Sequence, residues 1–110
     1  MRRPRLPGIT HLQFLVLGNL LSEAQPGRAI RETLAGYGVR RSGPAFYQLM
    51  ARLERDGLVE GWYEQIAIGD QNVMERHYRI KPAGSKLWSD TRAFYESVTV
   101  AATRERWSNA

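Results

Sequence analysis

The chain has 110 residues, of which 43% are hydrophobic and 25% charged, and it contains no cysteine. This length fits one small globular domain, and the lack of cysteine excludes disulfide scaffolds, thiol catalysis and cysteine-ligated zinc. The 16 Lys and Arg residues outnumber the 11 Asp and Glu residues, which gives a net charge of +5, and nearly all of the basic residues are arginine. A basic balance favours nucleic acid, an anionic membrane surface or an acidic protein as the partner.

Enzymatic, metal-binding and membrane functions are poorly supported by the residues. His11 and His77 are the two histidines, and neither has nearby residues that complete a metal site or a nucleophile–base pair. We therefore expect no metal, no cofactor and no enzymatic activity. The most apolar window, Phe14–Leu21, is too short to span a bilayer. With no targeting segment visible, the expected location is the cytoplasm, without membrane contact.

The first third of the chain predicts a basic arm followed by two helices. Residues 1–9 contain three arginines and two prolines and are expected to form a flexible arm. A capping box formed by Thr10 and Gln13 opens a helix over about 10–22. A Pro-Gly break then separates it from a short amphipathic helix over about 26–35.

A third helix is predicted over about 44–56, with Ser42 or Gly43 as its N-cap. Its apolar residues share one face and are Phe46, Leu49, Met50 and Leu53. The opposite face carries Ala45, Gln48, Arg52 and Arg55, with Tyr47 at the boundary. The helix therefore has one side for a core and one side free for solvent or a partner.

From Leu58 the hydrophobic period changes from 3.6 to 2, which predicts a β-hairpin that ends near Ile80. Residues 69–72 have the composition of a turn. We expect Leu58, Trp62 and Ile66 on the apolar side of the first strand, and Met74, Tyr78 and Ile80 on the apolar side of the second. Because an isolated hairpin is marginally stable, this apolar side is expected to pack on the helices.

A long helix is predicted over about 82–107, with apolar residues spaced by three and four. At about 1.5 Å per residue it is roughly 38 Å long, which is more than a three-helix core of this size covers. We expect the exposed seam to pair with a second copy of the chain. The predicted organisation is an arm (1–9), a helical and hairpin domain (10–81) and a C-terminal dimerisation helix (82–110).

This order of elements is that of a winged helix-turn-helix, a mainly α fold with a small β-hairpin. In that arrangement the third helix enters the major groove of DNA and the hairpin, called the wing, contacts the backbone or the minor groove. A major groove about 12 Å wide admits one helix whose outer face is free and polar. Residues 44–56 fit this description, because one face of the predicted helix is apolar and the opposite face is polar.

The sequence also resembles the PadR-like family of transcriptional regulators, in its short form. The segments that carry the resemblance are Leu12–Leu17, Pro26–Arg31, Gly43–Tyr47, Leu49–Glu54, Asp56–Val59 and His77–Gly84. The resemblance implies a dimeric winged-helix DNA-binding protein, most often a repressor, whose long C-terminal helix completes the dimer. The chain departs from the family pattern at Ala45, which replaces a frequent hydroxyl residue, and at the hairpin tip, which lacks the usual basic residues.

The expected DNA contacts divide by chemistry. Gln48, Arg52 and Arg55 are expected to reach base edges, because Arg can bridge guanine O6 and N7 and Gln can bridge adenine N6 and N7; a solvated face with an Arg52–Asp56 salt bridge is the alternative. The other expected contacts, mainly to the phosphate backbone, are Arg40, Arg41, Ser42, Ala45, Tyr47 and Arg79. Two alternatives remain open for the arm with Arg2, Arg3 and Arg5: it contacts the minor groove of DNA, or it is a free terminus without a DNA contact.

Aromatic and apolar residues form a second group of candidates, for a dimer core or a pocket for a small aromatic effector. These are Phe14, Trp62, Trp88, Phe94, Tyr95 and Val98, with Trp107 further along the last helix. The favoured function is a homodimeric regulator that binds a palindromic operator in double-stranded DNA, and the resemblance implies that it acts as a repressor. The alternative is a winged-helix adaptor that binds protein, and acidic groups across the third helix would favour it.

Overall fold

A computed structural model describes the backbone of residues 5–108 and the side chains of residues 5–104. Arg2, Arg3 and Trp107 lie outside these described side chains. The elements are α1 (His11–Asn19), β1 (Gln25–Pro26), α2 (Gly27–Gly36), α3 (Gly43–Arg55), β2 (Val59–Ile68), β3 (Gln71–Ile80) and α4 (Pro82–Ser108). The predicted fold class is confirmed: three helices, a hairpin and a long last helix occur in the expected order.

Local capping sets where the helices begin. The Thr10 hydroxyl accepts a hydrogen bond from the Gln13 amide at 3.1 Å, and the Gln13 side chain accepts one from the Thr10 amide at 3.1 Å, so the predicted capping box is present. Of the two N-cap candidates for α3, Ser42 takes the role, since its hydroxyl accepts from the Ala45 amide at 3.2 Å. Gly57, at φ +75°, turns the chain immediately after α3.

The sheet contains one strand that the sequence analysis missed. Its strand order is β1-β3-β2, all antiparallel, and the two-residue β1 pairs Gln25 with Tyr78 and Pro26 with His77. A strand of two residues has no periodicity to detect, and its Gln-Pro sequence reads as a chain break. The hairpin turn is also tighter than predicted, because Ile68 pairs with Gln71 and leaves only two residues between the strands.

The core lies between the three short helices and the base of the hairpin. Its fully buried side chains come from α1 and the C-cap residue after it, from α2 and α3, and from β2 and β3; they are Val16, Leu17, Leu20, Ile30, Leu34, Phe46, Met50, Leu53, Val59 and Tyr78. Three of the four predicted core residues of α3 are fully buried, and Leu49 packs against the cluster as a partly buried residue. One face of α3 is thereby anchored.

The predicted apolar side of the first hairpin strand is correct at Leu58, which packs against the core just before β2, but it is wrong at Trp62. Register pairs Val59 with Ile80 and Gly61 with Tyr78 on the core side, so Trp62 lies on the outer side, opposite His77. Because Gly61 has no side chain, the core side of β2 lacks an apolar residue at this position. The alternation of apolar and polar residues that reveals the buried face is therefore interrupted in the sequence. The predicted alternation of β3 is correct at Tyr78, which is buried.

Helix α4 extends well beyond the rest of the domain. It contacts α1 near its start, whereas nearly all of its described side chains from Arg92 onward are exposed. Its 27 residues span roughly 40 Å, and the longest dimension of the structure is 66 Å. Among the described residues, no helix combines the length and the hydropathy needed to cross a membrane.

Candidate nucleic-acid interface

The outer face of α3 is exposed and carries polar and basic side chains. Tyr47, Gln48, Arg52 and Arg55 are all exposed on this face. The alternative Arg52–Asp56 salt bridge does not form; Asp56 instead lies 3.7 Å from Arg55. Within the described residues, Gln48 and Arg52 have no hydrogen-bond or ion-pair partner. Their donors and acceptors are therefore available to an external molecule.

A second cluster of basic groups lies at the N-terminal end of α3. Arg40 and Arg41 are exposed in the loop before the helix, and their guanidinium groups form no ion pair within residues 5–104. The Ser42 hydroxyl oxygen already accepts the capping hydrogen bond, but its hydrogen is still available for donation. Ala45 is half-buried and contributes no polar side-chain group.

A groove of about 440 Å³ joins this cluster to the hairpin. Its basic and aromatic lining comes from α2, from the loop before α3, from α3 and from the hairpin, and includes Arg28, Arg31, Arg40, Arg41, Tyr47, Tyr63 and Arg76. Arg28, Arg31 and Tyr63 are not among the contact residues predicted from the sequence. The exposed position of the two arginines on amphipathic α2 was visible in the sequence, but their approach to the hairpin required the tertiary structure.

The hairpin arginines are paired with carboxylates. Arg79 donates to Glu60 across the hairpin at 3.1 Å, on the outer face, and its guanidinium lies 5.2 Å from the Trp62 ring. Arg76 faces α3 and donates to Glu54 at 2.5 Å. Arg76 therefore pairs with α3, and it forms no ion pair with Glu60 or Glu64 across the hairpin. Arg79 is thus separated from the groove by the thickness of the sheet.

Two pKa values are shifted where the hairpin meets α3. Burial raises the pKa of the Tyr78 phenol to about 12, and the nearby Arg76 charge opposes that rise only partly. Burial lowers the pKa of the Arg76 guanidinium, but the hydrogen bond and charge of Glu54 outweigh burial, so its pKa is raised. Tyr78 is neutral and Arg76 is charged across the whole physiological range.

The aromatic candidates occupy two separate places. Phe14 and Trp88 stack between α1 and α4, with ring centroids 5.6 Å apart and planes 6° apart. Trp62 stacks instead with His77 on the hairpin at 6.0 Å. Phe14 and Trp88 are therefore in ring contact with each other, whereas Trp62 is in ring contact with neither.

The remaining candidates lie on α4. Tyr95 and Val98 are exposed, and Phe94 is half-buried with its ring 5.3 Å from that of Tyr95. They leave an apolar strip on the part of α4 that extends past the domain.

Comparison with solved structures identifies the fold. A PadR-family transcriptional regulator from Eggerthella lenta shares 26% sequence identity, with 84% of this chain and 79% of that chain covered and a TM-score of 0.63. A PadR-family transcription regulator from Clostridium difficile is 12% identical, with coverages of 86% and 97% and a TM-score of 0.71. This chain has the PadR-like winged-helix fold. The resemblance found in the sequence is confirmed.

One PadR-like structure is that of Bacillus subtilis PadR in complex with operator DNA. It is 17% identical over 74% of this chain and 46% of that chain, with a TM-score of 0.59. No protein-family model matches the chain, and no curated protein matches it either. The solved PadR-like relatives are transcription regulators and not enzymes.

Proposed function

We propose that this PadR-like protein is a transcriptional regulator that binds double-stranded DNA in a sequence-specific manner. The observation that carries the proposal is the outer face of α3, where Gln48 and Arg52 are exposed and lack partners among the described residues. The opposite face is held rigidly by the buried Phe46, Met50 and Leu53. A helix anchored on one side and polar on the other has the form that a major groove accepts.

The groove beside α3 supports the same function. In a winged helix that reads the major groove, the phosphate strand beside that groove passes between the recognition helix and the wing. Here that space is lined by Arg28, Arg31, Arg40 and Arg41. We assign phosphate binding, and with it most of the affinity and the salt dependence, to Arg31, Arg40 and Arg41 together with Ser42 and Tyr47, because Arg28 is already paired with Glu75. Base discrimination falls to Gln48, Arg52 and Arg55.

Charge placement on α3 favours DNA over the alternative of a protein-binding adaptor. An adaptor was expected to show acidic groups across the outer face of the helix. Glu54 is instead turned toward Arg76 of the hairpin and is three-quarters buried, and Asp56 lies at the C-cap beside Arg55. The central part of the exposed face carries no carboxylate. Binding of operator DNA by Bacillus subtilis PadR supports the same choice by analogy of fold.

We further propose that the protein acts as a homodimer through α4 on a palindromic operator, as a repressor. Two observations support the dimer: the length of α4 beyond the domain, and exposed apolar side chains on that part, among them Tyr95 and Val98. A two-fold dimer presents two α3 helices to two half-sites of a palindrome. The proposal includes a response to a small aromatic effector, which the Phe14–Trp88 stack supports where α4 meets α1.

The experiment that tests the function begins with selection of bound fragments from a random duplex library by the purified protein. Recovery of one enriched palindromic sequence is expected. On the selected duplex, Arg52→Ala is expected to relax base preference at one position of each half-site, whereas Arg41→Ala weakens all duplexes alike and lowers the salt slope by about one. Arg92→Ala removes an exposed arginine from α4, distant from the groove, and serves as the matched control.

The outcomes separate the two candidate functions. Without any enriched duplex at low salt, the DNA-binding function is wrong and the adaptor gains support. If a duplex is enriched but Arg52→Ala and Arg41→Ala both bind it as the wild type does, the DNA-binding function stands and the roles assigned to these two residues are wrong.

A further inference from the structure

The hairpin is joined to the two helices of the proposed DNA-binding motif by ion pairs from consecutive residues of β3. Glu75 accepts a hydrogen bond from Arg28 of α2 at 3.1 Å, and Arg76 donates one to Glu54 of α3 at 2.5 Å. The Arg76 and Glu54 side chains are only 24% and 25% exposed. Most other ion pairs of the described residues lie on the surface, where such pairs contribute little.

A notch at Gly61 makes room for the Glu54–Arg76 pair. Gly61 lies on β2 and pairs across the hairpin with Tyr78. A Cβ at Gly61 would overlap the Glu54 carboxylate and would lie 2.8 Å from Nη2 of Arg76. The carboxylate of α3 therefore reaches Arg76 through space that any other residue at position 61 would fill.

The Arg76 guanidinium is fixed by more than its carboxylate. It lies 4.9 Å from the centre of the Tyr63 ring and 5.7 Å from the centre of the Tyr78 ring. Cation–π contacts of this kind are strengthened when the cation is partly removed from water. Arg76 is thus held by groups from β2, β3 and α3, whereas Arg52 extends into solvent.

We propose that Glu54 and Arg76 are positioning residues, which hold the hairpin at a fixed angle to α3 so that both elements engage one duplex. This inference rests on the proposed DNA-binding function. Arg76 then has a different role from the phosphate-binding arginines of the same groove, because the donors of Arg76 are directed at Glu54. Glu54, an acidic residue on the recognition helix, then strengthens DNA binding instead of opposing it.

The sign of the Glu54 effect is the test. Removing a negative charge beside a polyanion should by charge alone strengthen binding. The positioning role predicts the opposite: Glu54→Gln, Arg76→Gln and the double variant each weaken binding to the duplex selected by the wild-type protein, all by about tenfold, because they break one shared contact. Gly61→Ala is expected to do the same by displacing the carboxylate. Binding is measured well below the melting temperature of each variant.

Glu60→Gln is the matched control. It breaks the exposed Glu60–Arg79 pair on the outer face of the same hairpin and removes the same charge. Because it loses a negative charge without loosening the hairpin from α3, this variant is expected to bind at least as tightly as the wild type. Tighter or unchanged binding by Glu54→Gln overturns the proposal. Weakening by Arg76→Gln alone, with a salt slope reduced by about one, identifies Arg76 as a phosphate contact and also overturns it.

A second measurement needs no DNA. The chain has no cysteine, so cysteines placed at the exposed positions Tyr37, after α2, and Asp70, at the hairpin turn, take spin labels without further changes. The doubly labelled chain is diluted into unlabelled protein, and the distance distribution between the labels is recorded by pulsed electron spin resonance. Glu54→Gln is expected to broaden this distance distribution because it loosens the hairpin, whereas Glu60→Gln is expected to leave the distribution narrow.

The two readouts separate failure of the inference from failure of the proposed function. A wild-type protein that binds no duplex, with a distribution that Glu54→Gln broadens, contradicts the function while the positioning contact stands. An unbroadened distribution in Glu54→Gln overturns the positioning role whatever the DNA affinity.

Discussion

The Trp88 indole of α4 lies directly against Gly18 of α1: a Cβ built on that glycine would come within 2.8 Å of Nε1. The same indole stacks on Phe14 one helical turn earlier, at 5.6 Å between ring centroids. Gly18 therefore lets α4 pack closely on α1. This contact fixes the direction in which the rest of α4 leaves the domain.

Gly18→Ala is expected to destabilise the protein by about 1–3 kcal/mol, because the new methyl group forces Trp88 out of its stack. The control is Gly36→Ala. Gly36 ends α2, and no atom lies within 4 Å of a Cβ built there, so this variant is expected to be neutral or more stable by about 0.5 kcal/mol. The free energy of unfolding of each variant is measured by urea denaturation. Equal free energies of unfolding for the two variants would contradict the assigned role of Gly18.

Val98→Asp is expected to dissociate the proposed dimer and to weaken DNA binding roughly tenfold or more, because each half-site then binds independently. Val100→Asp is the matched control, with the same substitution about 200° around the same helix. Val98 is 43% exposed and Val100 is 53% exposed, so neither change disturbs a buried core. Sedimentation velocity gives the mass of each variant. A dimer in Val98→Asp and a monomer in Val100→Asp would put the interface on the other face of α4.

Stability is expected to fall at high pH through Tyr78. Burial raises the pKa of this phenol from 10.0 to about 12, so between these two values the unfolded chain ionises while the folded chain does not. The contribution is complete below pH 10 and is lost as the pH rises to about 12. Thermal melting at about pH 9 and about pH 11 should show a larger decrease for the wild type than for Tyr78→Phe. A decrease of the same size in both would contradict the assignment to Tyr78.

Ser42 has two roles that substitutions can separate. Ser42→Ala removes the N-cap acceptor of α3 and is expected to cost about 1 kcal/mol. Ser42→Asp retains a good cap acceptor but places a negative charge where a phosphate is proposed to bind, so it is expected to keep stability and lose DNA affinity. Melting temperature and duplex binding are measured on both variants. Full DNA affinity in Ser42→Asp would exclude this end of α3 from the interface.

The sequence predicted the elements that have a strong local signal. Thr10 and Ser42 are capping residues whose chemistry acts within one helical turn, and Phe46, Met50 and Leu53 repeat at helical spacing. These signals place α1 and α3 and divide α3 into a buried and an exposed face. The candidate residues on the exposed face follow from that division alone.

What the sequence could not supply depends on residues distant in the chain. Trp62 lies on the outer side of the hairpin because Gly61 takes the core-side position, and only the packing of Glu54 against Arg76 explains that glycine. The approach of Arg28 to Glu75 spans 47 positions in sequence. Neither relationship has a local pattern, so both the groove and the hairpin contacts required the folded chain.

Opposite charges at neighbouring positions of β3 also protect the alignment of the hairpin strands. Displacing β3 by one residue would send every side chain through to the reverse side of the sheet. In one direction Glu75 would then meet the carboxylate of Glu54, and in either direction Arg76 would be turned away from it. Both misaligned hairpins lose the Glu54–Arg76 pair, and one of them gains an electrostatic repulsion as well.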